Sequence, residues 1–281
     1  MVLPSPEPRS AQQVRSLTDR GRAPWPLAIP AAIGATFLLL PLLGLLVRAP
    51  WRGLLRILAD DTVRQALLLS LFSATAATAV AVVLGVPLAW VLARSTGRAS
   101  ALLRGLVTLP LVLPPVVGGV ALLLVLGRTG LVGRWLDAWF GFTLPFTTAG
   151  VVVAETFVAM PFLVITLESA FRSADRGLEE AAFTLGASRL TVFRRVTLPL
   201  VAPALGAGAV LCWARALGEF GATITFAGNF PGKTQTMPLA VYLAMETDPE
   251  AAIALSLVLL AVSIAVLAGL RERWLGSGAA R

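Results

Sequence analysis

The segment EAAFTLGASRLTVFRRVTLP, residues 180–199, is a short polar and basic stretch in a chain that is otherwise mostly apolar. Long apolar runs stand on either side of it, at 146–170 and 200–226. A run of more than about 20 apolar residues is long enough to cross a membrane as a helix. The segment therefore predicts a water-exposed connection between two membrane spans, and those spans decide the fold.

The composition of the whole chain indicates a membrane protein. Hydrophobic residues make up 57% of the 281 positions and charged residues 14%, and the mean hydropathy is +0.83. Soluble domains are about a quarter charged. The sequence therefore predicts an all-α transmembrane fold with six helices, which we number TM1 to TM6 at 27–47, 66–93, 105–127, 146–170, 200–226 and 251–270.

The arginines predict the orientation of these spans. With a cytoplasmic N-terminus, fifteen Lys and Arg residues fall in cytoplasmic segments and seven in external ones, while Arg215 lies within TM5. An excess of positive charge marks the cytoplasmic side. We therefore expect both termini in the cytoplasm, as tails at 1–26 and 271–281, with a core from 66 to 270.

Four of the external cations are clustered in the segment 48–65. Arg52 and Arg56 there alternate with apolar residues, among them Trp51, Leu54 and Leu55. This pattern predicts a helix lying in the membrane interface. A surface that docks a partner or attracts anions is the alternative.

Local propensities predict a helix at the start of the central segment. Asp175 can cap it, and the acidic Glu179 and Glu180 suit the positive end of a helix. Alanines follow, and Gly186 can end the helix. The product is a slim surface helix that can insert into a groove of another protein.

The spacing within 175–199 resembles the EAA motif of permease subunits from bacterial ABC importers. That motif reads EAA, three residues, Gly, nine residues, an aliphatic residue, one residue and Leu-Pro. Its positions are matched in register by Glu180, Ala181, Ala182, Gly186, Val196, Leu198 and Pro199. The resemblance implies a six-helix type I importer permease in the bacterial inner membrane, whose motif couples it to a cytoplasmic ATPase.

Energy for such a permease has to come from another polypeptide. The chain has no Gly-x-x-x-x-Gly-Lys-Ser/Thr phosphate loop, and its single lysine is Lys233. The resemblance implies a second copy of the chain, two ATPase subunits that bind ATP and Mg, and an extracytoplasmic binding protein. No cofactor or metal is expected on this chain.

The stretch RALGEFGATITFAGNFPGKTQTMPLAVY, residues 215–242, resembles molybdate importer permeases and, less closely, sulfate permeases. With the EAA segment, the resemblance covers about 60–270. It implies import of molybdate across the inner membrane. Tungstate and sulfate or thiosulfate remain alternatives.

Two charged residues of predicted TM5, Arg215 and Glu219, are candidates for the pathway or its gate. Arg215 and Glu219 are four apart and can form an ion pair on one helical face. That pair is either structural, or it opens when the transporter changes state, or its arginine offsets anion charge. Glu155 lies near mid-membrane, where we expect packing rather than contact with an anion, and Glu168 lies near the cytoplasmic end.

The external segment 227–238 supplies a second set of polar candidates. Its donors are Asn229, Lys233, Thr234, Gln235 and Thr236. Neutral donors and backbone amides can bind tetrahedral oxyanions. A solvated turn or a surface for a protein partner would use the same residue types.

Several other classes of function lack the residues they need. There is no histidine, and Cys212 is the single cysteine, so histidine-based nucleophiles and thiolate clusters cannot form. The net charge of +8 is divided among loops without a nucleic-acid-binding module. An ion-coupled secondary transporter that uses Glu155 or Glu219 remains the rival class, followed by a structural scaffold.

A weak internal repeat is also present. Residues 107–114 and 196–203 share the pattern Val-Thr-Leu-Pro-Leu-Val followed by Pro. Proline suits the first turn of a helix. Each copy is therefore expected to mark a helix start, unless the similarity is chance.

Overall fold

The computed structural model describes residues 25–278. Almost all of the predicted N-terminal tail, 1–26, lies outside these residues, as do the last three residues of the predicted C-terminal tail. The chain divides into two compact units, which meet in sequence at Arg48 and Ala49. Every regular element of the described backbone is helical.

The first unit contributes helix α1, Trp25–Val47. Its segment Pro26–Val47 has a mean hydropathy of 2.2 and is long enough to cross a membrane. The helix agrees closely with the expected TM1. Pro30 and Pro41 lie inside it, as membrane helices tolerate.

The second unit starts with a short helix and a long one. Helix α2, Leu54–Leu58, is only five residues long, so the helix expected in 48–65 is much shorter than that segment. Helix α3, Asp61–Arg94, has 34 residues and begins five residues before the predicted TM2. Its earlier start follows from a cap, because the Asp60 carboxylate accepts a hydrogen bond from the Thr62 N–H at 2.8 Å.

The predicted single span TM3 is replaced by two helices with a sharp bend between them. Helix α4 covers Arg98–Val112, helix α5 covers Pro115–Leu126, and their axes differ by 119°. Leu113 and Pro114 are extended, with ψ values of 130°. Each of them precedes a proline, which disfavours helical backbone at the preceding residue. The consecutive prolines therefore break the span.

A short amphipathic helix and the central helix of the unit follow. Helix α6 covers Gly133–Phe140. Helix α7, Thr148–Ser173, is capped by the Thr147 hydroxyl, which accepts from the Gly150 N–H at 3.0 Å. In its most apolar stretch of 18 residues, 61% of the residues are buried, a larger share than in the other three long helices. It extends three residues beyond the expected end of TM4.

The EAA segment and predicted TM5 form a series of short elements. They are α8 Arg176–Thr184, α9 Arg189–Val192, a π-helical turn Phe193–Thr197, α10 Leu198–Leu200, α11 Ala202–Leu217 and α12 Gly221–Ala227. The expected span 200–226 starts at a bend and is interrupted between Leu217 and Gly221. A 71° bend separates Arg189–Leu200 from α11, and α11 ends nine residues before the predicted end.

The bend has a cause in the sequence. Pro203 has no N–H to donate to the preceding turn, and Val201 leaves the helical region with φ −95° and ψ 3°. Both copies of the internal repeat thus coincide with a bend, and the next helices begin directly afterwards, at Pro115 and Ala202.

Two helices complete the second unit. Helix α13 covers Met237–Thr247, and helix α14 covers Pro249–Gly278. The helical backbone thus continues through most of the expected C-terminal tail. Within residues 25–278, four helices, α1 among them, are apolar and long enough to span a membrane, or up to six if each bent pair forms one span.

Small residues allow the central helices to approach closely. The buried side of α3 carries a stripe of alanine, serine and glycine at 66, 70, 73, 74, 77, 81, 85 and 89, and its main core cluster includes residues of α7 and α11. A Cβ added to Gly208 would lie 3.0 Å from Leu163 of α7. Van der Waals packing of this kind is what holds helices together in lipid.

Candidate functional site

Helix α8 is held at both ends by its own backbone and caps. The Asp175 carboxylate accepts from the Gly177 N–H at 2.8 Å. At the other end, Gly186 has φ +84°, its N–H donates to Phe183 O at 2.9 Å, and the Ala187 N–H donates to Ala182 O at 3.1 Å. These two bonds form a Schellman motif. The structure thus places Gly186 at the end of the helix.

The outer side of α8 carries the first residues of the EAA motif. Glu180, Ala181 and Gly186 are exposed, and Ala182 is half-buried. Leu178, Phe183 and Leu185 are also exposed, at 48%, 45% and 88%. This face combines one carboxylate with small and apolar side chains, which suits insertion into a groove.

The last two candidate coupling residues lie elsewhere. Leu198 and Pro199 belong to α10, at the bend that precedes α11. Pro199 is exposed, whereas Leu198 packs against the main core cluster. The motif therefore joins an exposed helix to the base of a candidate span.

Glu179, beside the motif, is buried, whereas Glu180 is exposed. Glu179 is 7% exposed. Its Oε1 forms an ion pair with Arg94 Nη2, at the last residue of α3, and accepts a hydrogen bond from Thr197 Oγ1 at 2.7 Å. The sequence marks Glu179 only as an acidic residue in a first turn, so its role as a contact point was missed.

A second ionic cluster joins the C-terminal ends of α3 and α7 to the first half of α4. Glu168 Oε1 pairs with Arg104 Nε at 2.7 Å and with Arg172 Nη2 at 2.9 Å. Arg104 also donates to the Leu92 carbonyl at 3.3 Å. This cluster ties α4 and the end of α3 to α7, and none of these contacts involves α8.

The expected pair of Arg215 and Glu219 is present. Arg215 Nη1 lies 2.6 Å from Glu219 Oε2, and the Glu219 side chain is 1% exposed. The pair does not stand on one continuous helix, however, because α11 ends at Leu217. Glu219 Oε1 accepts from the Ala222 N–H at 2.8 Å. The carboxylate therefore also serves the otherwise unpaired N-terminal end of α12.

Glu155 is enclosed by protein, as expected. It is 1% exposed, and its Oε1 accepts from Ser73 Oγ of α3 at 2.8 Å. Its neighbour Ala154 and Ala222 of α12 belong to one apolar cluster, so Glu155 and Glu219 occupy the same region. Among residues 25–278, no group of three His, Cys, Asp or Glu side chains is placed to hold a metal ion.

The segment 227–238, predicted to be external, is more buried than a solvated turn. Lys233 is exposed, but Thr234 and Gln235 are 0% and 2% exposed. The Thr234 hydroxyl accepts from the Phe230 N–H at 2.9 Å, and the Lys233 carbonyl accepts from Thr148 Oγ1 at 2.9 Å. Asn229 Oδ1 is buried without a hydrogen-bond partner. The segment is a packed turn, and Lys233 is the exposed member of the predicted set.

Residues 81–277 match the family model described as the binding-protein-dependent transport system inner membrane component. This match covers most of the chain. The chain therefore belongs to that family, and it is a multi-pass protein of the bacterial inner membrane.

Several curated proteins are similar along most of their length. The molybdenum transport system permease protein ModB of Mycobacterium tuberculosis is 51% identical over 245 residues, which cover 87% of this chain and 92% of that protein. ModB of Escherichia coli is 43% identical, with 75% of this chain and 92% of that protein covered. The sulfate transport system permease protein CysT of Escherichia coli is 38% identical, with 82% and 84% covered.

Solved structures share the fold at lower identity. A bacterial ABC transporter involved in import of the acidic polysaccharide alginate matches with a TM-score of 0.70 at 17% identity, covering 93% of this chain and 98% of that chain. The MetNI methionine ABC transporter matches with a TM-score of 0.55 at 18% identity, covering 76% and 96%. The chain thus has the all-helical fold of type I ABC importer permeases.

Proposed function

We propose that this chain is the permease subunit of an ATP-driven importer that carries molybdate across the inner membrane. The observation that carries this proposal is the 51% identity to a molybdenum transport permease over 87% of the chain. The sulfate permease relative is 38% identical. It makes sulfate or thiosulfate the second candidate substrate, and tungstate shares the tetrahedral chemistry of molybdate.

Coupling to an ATPase is supported by the exposed face of α8. Glu180, Ala181 and Gly186 lie on this face, and the sequence has no phosphate-binding loop of its own. In this proposal two ATPase subunits bind ATP and Mg, while the permease itself binds no cofactor. Two copies of the chain form the passage in the bilayer, and an extracytoplasmic binding protein delivers the oxyanion.

The function is tested by reconstituting the chain in vesicles with the ATPase subunit and the binding protein of the proposed importer. We expect molybdate uptake that requires enclosed ATP and the binding protein, with tungstate competing and sulfate competing weakly. Uptake driven by a proton or sodium gradient without ATP would instead support a secondary transporter. Preferred uptake of sulfate would instead identify sulfate as the transported substrate.

A motif variant provides a further test of coupling. Glu180→Lys reverses the charge on the exposed face of α8 while leaving the packed side of the helix unchanged. We expect normal membrane insertion but loss of molybdate uptake. Normal transport in a well-expressed variant would count against the coupling role.

The orientation is tested with exposed positions at the two ends of the second unit. Leu185→Cys and Lys233→Cys, each combined with Cys212→Ala, place one thiol on α8 or in the external segment. A membrane-impermeant thiol reagent added to intact cells should label position 233 and not position 185. Labelling of 185 instead would reverse the predicted orientation.

A further inference from the structure

We propose that Glu179 is a positioning residue: it is the joint through which movement of α8 is passed to the ends of α3 and α11. This inference rests on the proposed function, in which an ATPase moves α8. It adds the route by which that movement enters the bundle. The motif residue Glu180 contacts the partner, and its neighbour Glu179 holds the bundle.

The first argument is that α8 has a single buried anchor. All nine residues of α8 lie within the described part of the chain, and Glu179 is the only one of them that is buried. The main core cluster contains no α8 residue, neither among its buried members nor among those packed against it. Apart from its covalent ends, α8 is therefore fixed to the bundle mainly through one carboxylate.

The second argument is that this carboxylate joins two different parts of the bundle. Arg94 ends α3, 85 residues away in the sequence. Thr197 is buried at 1% exposure and ends the π-helical turn just before α10 and α11. One oxygen, Oε1, contacts both side chains. A displacement of α8 thus acts on the end of α3 and on the base of α11 together.

The third argument concerns stiffness. Charge-assisted hydrogen bonds are shorter and stronger than neutral ones, and the Arg94 and Glu179 side chains are only 21% and 10% exposed. Partial burial reduces screening by water and salt. A connection of this kind transmits displacement, whereas a loose apolar contact on a half-exposed helix would slide.

The chain also supplies a matched control. Glu168 is a buried carboxylate near the same end of the unit, paired with Arg104 and Arg172. It ties α4 to α7 and does not contact α8. Neutralising Glu168 therefore removes a comparable ionic contact without touching the proposed joint.

The experiment compares Glu179→Gln with Glu168→Gln and Glu180→Gln in vesicles that contain the full transporter. Three quantities are measured: ATPase subunit retained with the permease, ATP hydrolysed, and molybdate imported per ATP. For Glu179→Gln we expect normal ATPase retention and hydrolysis, with molybdate per ATP reduced about five- to tenfold. For Glu168→Gln the ratio should stay within about twofold of the unmodified protein. For Glu180→Gln the retention of ATPase should fall.

A charge-exchange variant separates positioning from general destabilisation. Arg94→Glu combined with Glu179→Arg restores an ion pair with reversed polarity, and we expect it to recover at least about half of the lost ratio. If Glu179→Gln does not assemble, this double variant and Thr197→Val, which removes one donor, carry the test. A normal ratio of molybdate to ATP in Glu179→Gln, or an equal loss of this ratio in Glu168→Gln, would overturn the proposed role of Glu179.

Failure of the joint is distinguishable from failure of the proposed function. If the unmodified transporter shows no ATP-dependent molybdate uptake, the function itself is wrong. If the unmodified transporter works and Glu179→Gln matches it in molybdate per ATP, the function stands and only the joint is wrong.

Discussion

The end of the second unit that carries α8 is its coupling end in the proposed function, and the buried charges there differ from those in the interior of the unit. At the coupling end, Glu179 and Glu168 each pair with an arginine on another helix, 85 and 64 residues away, and Glu168 also pairs with Arg172 of its own helix. In the interior, Glu219 pairs with Arg215 only four residues away and also receives the Ala222 N–H. The end charges fasten separate elements to one another, whereas the interior pair shapes the break between α11 and α12.

The comparison predicts its largest stability effect in the interior. Glu219→Ala leaves Arg215 in the bundle without its carboxylate and removes the acceptor for the Ala222 N–H. We expect the free energy of unfolding to fall by about 3–5 kcal/mol, measured by denaturant unfolding in detergent. The double variant Arg215→Gln with Glu219→Gln is the control and should recover part of the loss. A fall below about 1 kcal/mol in Glu219→Ala would show that the pair has no structural role.

A smaller effect is expected at the coupling end. Glu168→Gln weakens two ion pairs, but the Arg104 and Arg172 side chains are 36% and 49% exposed and can be solvated after the change. We expect a loss of about 1–2 kcal/mol in the same unfolding measurement. A loss as large as that of Glu219→Ala would remove the distinction between the two regions.

Ser73→Ala tests the interior charge that has a hydroxyl donor. The change removes the hydrogen bond from Ser73 Oγ to Glu155 at 2.8 Å. We expect a loss of about 1 kcal/mol in the free energy of unfolding. Thr75→Ala is a control that leaves Glu155 untouched, because the Thr75 hydroxyl accepts its hydrogen bond from Trp213 Nε1, at 3.1 Å. An unchanged stability in Ser73→Ala would mean that Glu155 is held by packing alone.

The smallest effect on overall stability is expected at the end of α8. Gly186 has φ +84°, and a Cβ there would meet no atom within 4 Å, so the penalty for alanine is only the left-handed backbone. We expect Gly186→Ala to cost about 1 kcal/mol, confined to the helix end. Faster hydrogen exchange at the amides of 186 and 187 would show it. Gly186→Asn, which tolerates this conformation better, should exchange more slowly than the alanine variant.

Local features could be predicted from the sequence. The apolar runs marked the long helices, Asp175 and Gly186 marked the ends of α8, and the four-residue spacing marked the pair of Arg215 and Glu219. Each depends on residues close together in the chain. The bends at Leu113 and Val201 also had local signals in their neighbouring prolines. An apolar run by itself, however, does not show where the helix axis changes direction.

Long-range features could not be predicted in this way. Glu179 and Glu180 are adjacent acidic residues, and only the packed position of α8 decides which one meets Arg94. Thr234 and Gln235 looked like exposed donors, yet the turn around Phe230 buries them. Pairing of Glu168 with Arg104 likewise requires α4 and α7 to be side by side, which depends on the fold as a whole.

The most direct test of the central claim is crosslinking from the exposed side of α8. Glu180→Cys in a Cys212→Ala background carries one thiol, and Lys233→Cys in the same background is the control. A short crosslinker should join position 180, and not position 233, to a nucleotide-hydrolysing subunit, in an amount that changes when ATP is added. Absence of any crosslink from position 180 in a transport-active complex would contradict the account.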